Sequence, residues 1–296
     1  MQIPTNAFYD RATQSMRGLT VQADSLQTQI SSGKKLSAPS QNTAAYQRLA
    51  TLKQASADAD AYGTNLTLAG SLLSSADTTL DAIGSQLQRA SELTLQARNG
   101  TQNDSSRKAI ADELDQIVES LAALGNTRDP RGQPLFGGAD GAAAVTKVGG
   151  TYAFASAPLP TIPIGNAQSV QPTETASRVF AAGNTDILTA LSGFSAALKA
   201  GGDIDAAATT ALGDIAASSE QVTTIQASLG ARAARVDLEQ GQQKSAATDR
   251  EVVRSSLEDT DIATAITQLQ KTMTILSATQ ASFSKLSSLT LFNYIK

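Results

Sequence analysis

Four serines are followed three residues later by a lysine: Ser31/Lys34, Ser32/Lys35, Ser105/Lys108 and Ser282/Lys285. On a helix that spacing brings amine and hydroxyl to one face, as a Ser–Lys hydrolase requires for the amine to take the hydroxyl proton. Such an enzyme also needs an orienting element, and neither Lys-Thr-Gly nor Ser-Asp-Asn occurs in the chain. With serine this abundant, chance recurrence explains the pairs. Gly33-Lys34 lacks the upstream glycine and the following Ser/Thr of a phosphate loop, and neither G-x-G-x-x-G nor G-x-S-x-G is present. Glu258, Asp259 and Asp261 form the one dense acidic cluster. A metal would need more oxygen ligands converging from elsewhere. The expectation is that Asp259 or Asp261 caps the last helix, with the other acids favouring its positive N-terminal end. Arg89, Glu92, Arg98 and Arg107 face Asp112, Glu113 and Asp115 across a reversal of the chain, where salt bridges within a hairpin would form on a solvated face.

Composition narrows the chemistry further. The 296 residues include no cysteine, histidine or tryptophan, and aromatics make up 4%. Disulfides, thiol nucleophiles and zinc–thiolate sites are therefore excluded, as are the commonest general base and the commonest metal ligand. A net charge of −4 without a basic stripe argues against nucleic-acid binding. No apolar run is long enough to span a membrane, and the first twenty residues lack the apolar core of a cleavable signal peptide. No catalytic, cofactor or metal site is expected, and the chain reads as a non-enzyme.

The elements that position these residues are set by proline. Prolines stand at 4, 39, 130, 134, 158, 160, 163 and 172, leaving two proline-free tracts, Gln41–Asp129 and the whole chain after Pro172. An interior proline costs a helix about 3 kcal/mol, so these tracts are free to form long helices. Leu66, Ala69, Leu73, Ala76, Leu80, Ile83, Leu87, Ala90 and Thr94 alternate in steps of three and four, the register of a coiled-coil seam. Asn99-Gly100 ends it, and Ile110, Leu114, Ile117, Leu121 and Leu124 predict a helix folding back antiparallel. Ile215, Val222, Ile225, Leu229 and Val236 predict another rod, preceded by a short helix near Ile187–Leu198 and a break at Gly201-Gly202.

The chain ends follow the same habit. Phe8, Ala12, Met16, Leu19, Ala23, Leu26 and Ile30 lie on one stripe near the start; Ile262, Ile266, Leu269, Met273, Leu276 and Phe283 lie on another near the end. Both are narrow, as helices seeking partners are. In the middle, Val145 to Phe154 with Gly149-Gly150 predicts a β-hairpin, followed by a proline-rich stretch at 158–172. The expected fold is mainly α: long antiparallel helical hairpins forming a coiled-coil rod, with a small β-containing insertion. Residues 1–40 with 258–296 form terminal coiled-coil assembly helices, 41–130 with 184–257 a helical rod domain, and 131–183 a small β-rich outer insertion.

In this order the motifs resemble the flagellin superfamily, and within it the proteins of the hook–filament junction. Ile3-Pro4-Thr5-Asn6 is similar to the family's Ile-x-Thr-Asn start, and Ser31-Ser32-Gly33 to its Ser-Ser/Thr-Gly. Ala38-Pro39-Ser40 resembles the junction proteins' Arg-Pro-Ser, as Leu135-Phe136-Gly137-Gly138 does their Leu-Phe-Gly-Gly. Glu92-Leu93, Gln96-Ala97, Asn99-Gly100-Thr101, Arg107, Glu113-Leu114 and Asn126-Thr127 follow the family's hairpin string. Gly230-Ala231-Arg232, Asp259-x-Asp261-x-Ala263 and the tail from Lys285 to Tyr294 complete the likeness. Two departures stand out: Gln41-Asn42 replace an acidic pair, and Pro134 occupies a place where an aromatic or small residue is commoner.

The resemblance implies a secreted structural subunit of the extracellular bacterial flagellum, an adaptor at the hook–filament junction, or alternatively a minor or minimal flagellin. It implies self-assembly into a ring or helical array through Phe8, Met16, Leu19, Leu26, Ile30, Ile262, Ile266, Leu269, Met273, Leu276 and Phe283, with Pro39 fixing a bend. The partners implied are an adjacent hook-associated protein, flagellin, a flagellar export chaperone and the type III export apparatus.

Overall fold

The computed structural model describes residues 5–100, 102–137, 141–182 and 185–288. The chain divides into two compact units, Met1–Asp58 with Ser245–Lys296, and Ala59–Lys244. Two long helices, α2 (Thr43–Arg98) and α6 (Asp205–Glu258), contribute to both. Free of proline, α2 runs for 56 residues, about 84 Å of helix. It starts on Asn42, whose side chain accepts the backbone N–H of Ala45 at 3.0 Å.

Unit Ala59–Lys244 holds the extended core. All nine predicted seam residues from Leu66 to Thr94 are buried. Leu72, Leu93 and Ala97 are buried beside them, a wider stripe than a two-helix seam needs. Returning helix α3 (Asp104–Gly125) starts on Asn103, whose side chain accepts from Ser106 N–H. Arg89 and Glu113 pair at 2.6 Å across the antiparallel turn. Helix α5 (Ile187–Ala200) packs on α3, where buried Ser195 donates its hydroxyl to the Ala111 carbonyl at 3.0 Å. Ile215, Val222, Ile225, Leu229 and Val236 of α6 are all buried.

The remaining charges of the hairpin string go elsewhere than the hairpin. Arg98 reaches Asp205 at 3.7 Å, Arg107 donates to the Gly202 carbonyl, and Asp112 and Asp115 both pair with Lys199 on α5. Of the ion pairs expected across the hairpin, Arg89–Glu113 forms; Arg89 also pairs with Glu92 on its own helix, and α5, α6 and the loop between them take Arg98, Arg107, Asp112 and Asp115.

The insertion between α3 and α5 is built of small hairpins. Strands β1 (Val145–Val148) and β2 (Thr151–Phe154) pair antiparallel around Gly149 and Gly150, whose φ values of 60° and 95° suit a primed two-residue turn. Asn126 at the end of α3 holds the hairpin base, donating to the Val145 carbonyl and accepting its N–H at 2.8 and 3.0 Å. The proline-rich stretch also folds into strands: β3 (Ile162–Gly165) pairs with β4 (Gln168–Val170). Proline at 158, 160 and 163 masks that signal, because proline inside a run demotes it as a strand. A short helix α4 (Ala176–Phe180), capped by Thr175, leads into two-residue strands β5 (Ala181–Ala182) and β6 (Thr185–Asp186).

Two charged anchors fix these loops. The buried Asp129 carboxylate accepts the backbone N–H groups of Arg131 and Gln133 and two guanidinium N–H groups of Arg131. Burial pushes its pKa up, but these donors outweigh burial and hold it below the usual carboxylate range. Buried Glu174 accepts from Arg232 of α6 at 2.5 Å and from Arg178 at 3.4 Å. Arg232 also donates to the Gln171 carbonyl.

The other unit contains α1 (Thr5–Ser32), the start of α2, the end of α6, and α7 (Ile262–Ser288). Tyr9 meets Phe283 edge-on at 5.4 Å while Lys34 bridges to Asp259, so α1 and α7 run antiparallel. Many of their hydroxyls bond to their own helix. Thr20, Thr28, Thr267, Thr274 and Thr279 each donate to the carbonyl four residues earlier. Among the described residues, no helix is long and apolar enough to cross a membrane.

Candidate functional site

The terminal pair, α1 and α7, carries the two apolar stripes of the chain ends. On α1, Ala23 and Leu26 are buried, and Met16, Leu19 and Ile30 are half-buried. The Phe8 side chain lies outside the described residues, as do Ile3-Pro4 and the tail beyond Ser288. On α7, Ala265 and Thr272 are buried, and Leu269, Leu276 and Phe283 are half-buried along the same line. Ile262, Ile266 and Met273 remain 48%, 40% and 52% exposed. At 3.6 residues per turn these three sit roughly 80° round the helix from Ala265 and Thr272. The predicted α7 stripe is thus two adjacent stripes: one seats on α1, and the other is an apolar flank open to solvent.

Pro39 has a different role from the helix contacts. It is exposed and occupies the second position of a turn that Gln41 N–H closes on the Ala38 carbonyl at 3.1 Å, the position proline's fixed φ suits. The Gln41 amide oxygen accepts the N–H of Ser37 at 2.8 Å. With Asn42 capping α2, the neutral pair supplies hydrogen-bond acceptors to loop and helix without charge.

The acidic cluster resolves residue by residue. Asp261 caps α7, accepting Thr264 N–H at 3.2 Å and its hydroxyl at 2.6 Å, and these bonds hold its pKa down. Glu258 pairs with Lys34, and with Arg254 at 2.8 Å. Lys34, opposed by burial and supported by Arg254, keeps the Glu258 carboxyl below its usual range. Ser255 donates to Asp259 at 2.6 Å. Among the described residues, no group of three or more acidic side chains converges as metal ligands would.

The Ser–Lys pairs at 31–35 are likewise engaged elsewhere. Ser31 and Ser32 donate to the Thr28 carbonyl, Lys34 pairs with Glu258, and the Lys35 amine donates to the Ser256 carbonyl at 2.6 Å. No residue spacing predicts this tie between two distant parts of the chain. Its one visible signal was Gly33 at the end of α1, where φ is +69°, followed by two lysines.

Leu135 and Phe136 are buried, and Gly137 is forced by contact: a Cβ there would lie 2.6 Å from Pro134 Cβ and 3.1 Å from the Ala142 carbonyl. Gly138, the motif's last residue, lies outside the described residues. Pro134, the departure, is therefore packed directly against the glycine. A cavity of about 410 Å³ opens beside this loop, lined by Leu68, Leu72, Arg131, Leu159 and Pro160 among others.

Comparison with known proteins places these features. Residues 3–140 match the bacterial flagellin N-terminal helical region. Flagellar hook-associated protein 3 of Salmonella typhimurium is 33% identical over 141 residues, 47% of this chain and 44% of that protein. The chain thus spans less than half of that relative. Flagellin of Listeria monocytogenes is 24% identical over 287 residues, covering 97% of this chain and 95% of that protein. Among solved structures, a hook-associated protein from Vibrio parahaemolyticus superposes with a TM-score of 0.70 at 21% identity, covering 74% of this chain and 100% of that one. The chain has the fold of the flagellin-like hook-associated proteins, with a flagellin-type N-terminal region.

Proposed function

We propose that this chain is a secreted structural subunit of the bacterial flagellum, an adaptor at the hook–filament junction that assembles through α1 and α7. The open flank of Ile262, Ile266 and Met273 carries this reading. A row of large apolar side chains beside a thin two-helix seam is a surface that another helix would cover. Neighbouring copies, an adjacent hook-associated protein and flagellin are the partners to which it is assigned in the assembled state, and an export chaperone before type III export. No reaction is assigned to the chain.

The Leu135-Phe136-Gly137 geometry and the Ala38–Gln41 turn favour the junction protein. The near full-length alignment with a flagellin favours the second reading, a minor or minimal flagellin. Electron microscopy of a strain lacking this protein separates them. The adaptor reading expects hooks without filaments and unpolymerised flagellin in the medium. Normal filaments on that strain would overturn it and leave the minor flagellin.

A further inference from the structure

Within Ala59–Lys244, the segment from Gly165 to Arg178 lies along α6 in the opposite direction, and its contacts step down that helix in order. Gly165 sits at Glu239, where an added Cβ would lie 3.2 Å from the carboxylate. Gln168 accepts from Arg235 at 3.3 Å, the Gln171 carbonyl from Arg232 at 2.9 Å, and Glu174 from the same guanidinium at 2.5 Å. The Arg178 carbonyl accepts from Gln221 at 3.1 Å. Other bonds fix the same stretch away from α6. Asn65 of α2 donates to the Pro163 carbonyl at 2.8 Å, and Ala176 N–H to the Phe136 carbonyl, also at 2.8 Å. The segment is a strap, held to α2 at its start and bonded at intervals to α6.

The apolar seam alone does not set how far α6 sits along α2. The two helices are antiparallel, with Gln226 donating to Asp81 at 2.5 Å and Arg98 near Asp205. On α2, Leu66, Leu73, Leu80 and Leu87 recur every seven residues; on α6, Ile215, Val222, Leu229 and Val236 do the same. Such surfaces fit nearly as well after a slip of seven residues, about 10 Å. The connection from α5, Gly201 to Ile204, reaches roughly 13 Å when extended and would follow. Arg232 breaks the repeat. It continues the line of Ala211, Ser218 and Ile225, all buried, and Glu239 follows it. A slip of seven would set either Ile225 or Glu239 against Glu174, whose side chain is 4% exposed. The buried carboxylate would then face an aliphatic chain or a second carboxylate, and either is costly.

We propose that Glu174 and Arg232 form a register key: the strap presents a buried carboxylate, and α6 settles where Arg232 meets it. A polar residue in an apolar seam fixes register in this way, and a buried ion pair contributes more to such a choice than to stability. Arg232 is a positioning residue. The inference concerns the single chain and holds whether the subunit belongs to a junction or a filament.

Spin labels on the full chain test it, since the sequence has no cysteine of its own. With Ser74→Cys on α2 and Thr210→Cys on α6, both exposed, the labels stand roughly 30 Å apart along the helices. Pulsed electron resonance should give one distance while Glu174 and Arg232 are in place. Glu174→Met with Arg232→Met replaces the pair by unbranched apolar side chains. That variant should keep its denaturation midpoint or raise it, and should add a second distance displaced by about 10 Å. Arg232→Lys keeps the charge and should keep the single distance. One unchanged distance in a folded methionine variant overturns the proposal. Loss of its helix content does so too, because the pair would then supply stability and not register. A second distance in Arg232→Lys would equally refute it, since charge would not be what α6 settles on.

Discussion

Single residues account for most of what the motifs left unexplained. Gly125, the last residue of α3, has no room for a side chain: a Cβ would sit 2.5 Å from Val145 Cγ2 and 2.7 Å from Phe180 Cε2. Both neighbours are buried, so neither can swing aside. Gly125→Ala should cost about 1–3 kcal/mol of unfolding free energy, the range for overpacking, measured by denaturant titration. Gly230-Ala231-Arg232 gains its reason from Glu174, a carboxylate that no periodicity could have paired with an arginine 58 residues on. Removing one partner of a buried pair costs ~3–5 kcal/mol, and Arg232→Ala belongs at the low end because its guanidinium reaches solvent. A double-mutant cycle with Glu174→Gln should return a favourable coupling, and additive losses would deny the pair any role. Asn126 was visible only as part of a resemblance. Its two bonds to Val145 depend on a strand that lies beyond the helix it ends.

At the level of elements, the long helices were legible because their periodicity is sustained and their core is continuous. Every residue of the stripe from Leu66 to Thr94 is buried, as are the five predicted on α6. Helix α7 was legible as a helix but not in its facing. Heptad spacing fits both the line through Ala265 and Thr272 and the line through Ile262 and Met273, and only the position of α1 decides between them. Strand β3 was hidden by Pro163, and β4, three residues long between Pro163 and Pro172, was hidden with it. The connections between helices also carry the acid response. Glu258, Asp261 and Glu251 all have lowered pKa values, from Lys34, Thr264 and Arg254 respectively. A lowered folded-state value means the unfolded chain binds more protons, so this stability is present above the ordinary carboxylate range and lost as pH falls through the folded values. The groups facing Glu258 are Lys34 and Arg254, with Lys35, Glu251 and Asp259 close by. Burial pushes the Asp115 carboxyl of α3 up, but Lys199 of α5 outweighs it and holds it low, so acid removes an ion pair from both units. Below about pH 4, exchange at α1 and α7 should still accelerate before exchange at α3 and α5, because far less apolar burial remains to hold them. Simultaneous loss in all four would contradict this order.

The whole molecule is uneven in how it is held. Every one of its largest fully buried side chains, Phe136, Phe180 and ten aliphatic residues among them, belongs to Ala59–Lys244. Heating should therefore produce two events: an early, shallow loss of helix from the terminal unit, then a cooperative transition of the larger core. Calorimetry alongside circular dichroism would resolve them, and one sharp transition accounting for all helix would refute the unequal division. The threonines of α1 and α7 bear on what happens when such chains meet. Thr20, Thr28, Thr267, Thr274 and Thr279 each direct their only proton back to their own helix. What these hydroxyls present outward is lone pairs alone, and lone pairs do not bond to lone pairs. Two copies meeting through these positions would find no donor in them. Under the proposed assembly, cohesion there would fall to the exposed Ile262, Ile266 and Met273, which would grip by area rather than direction, and a joint of that kind could slip by a fraction of a turn without breaking a bond.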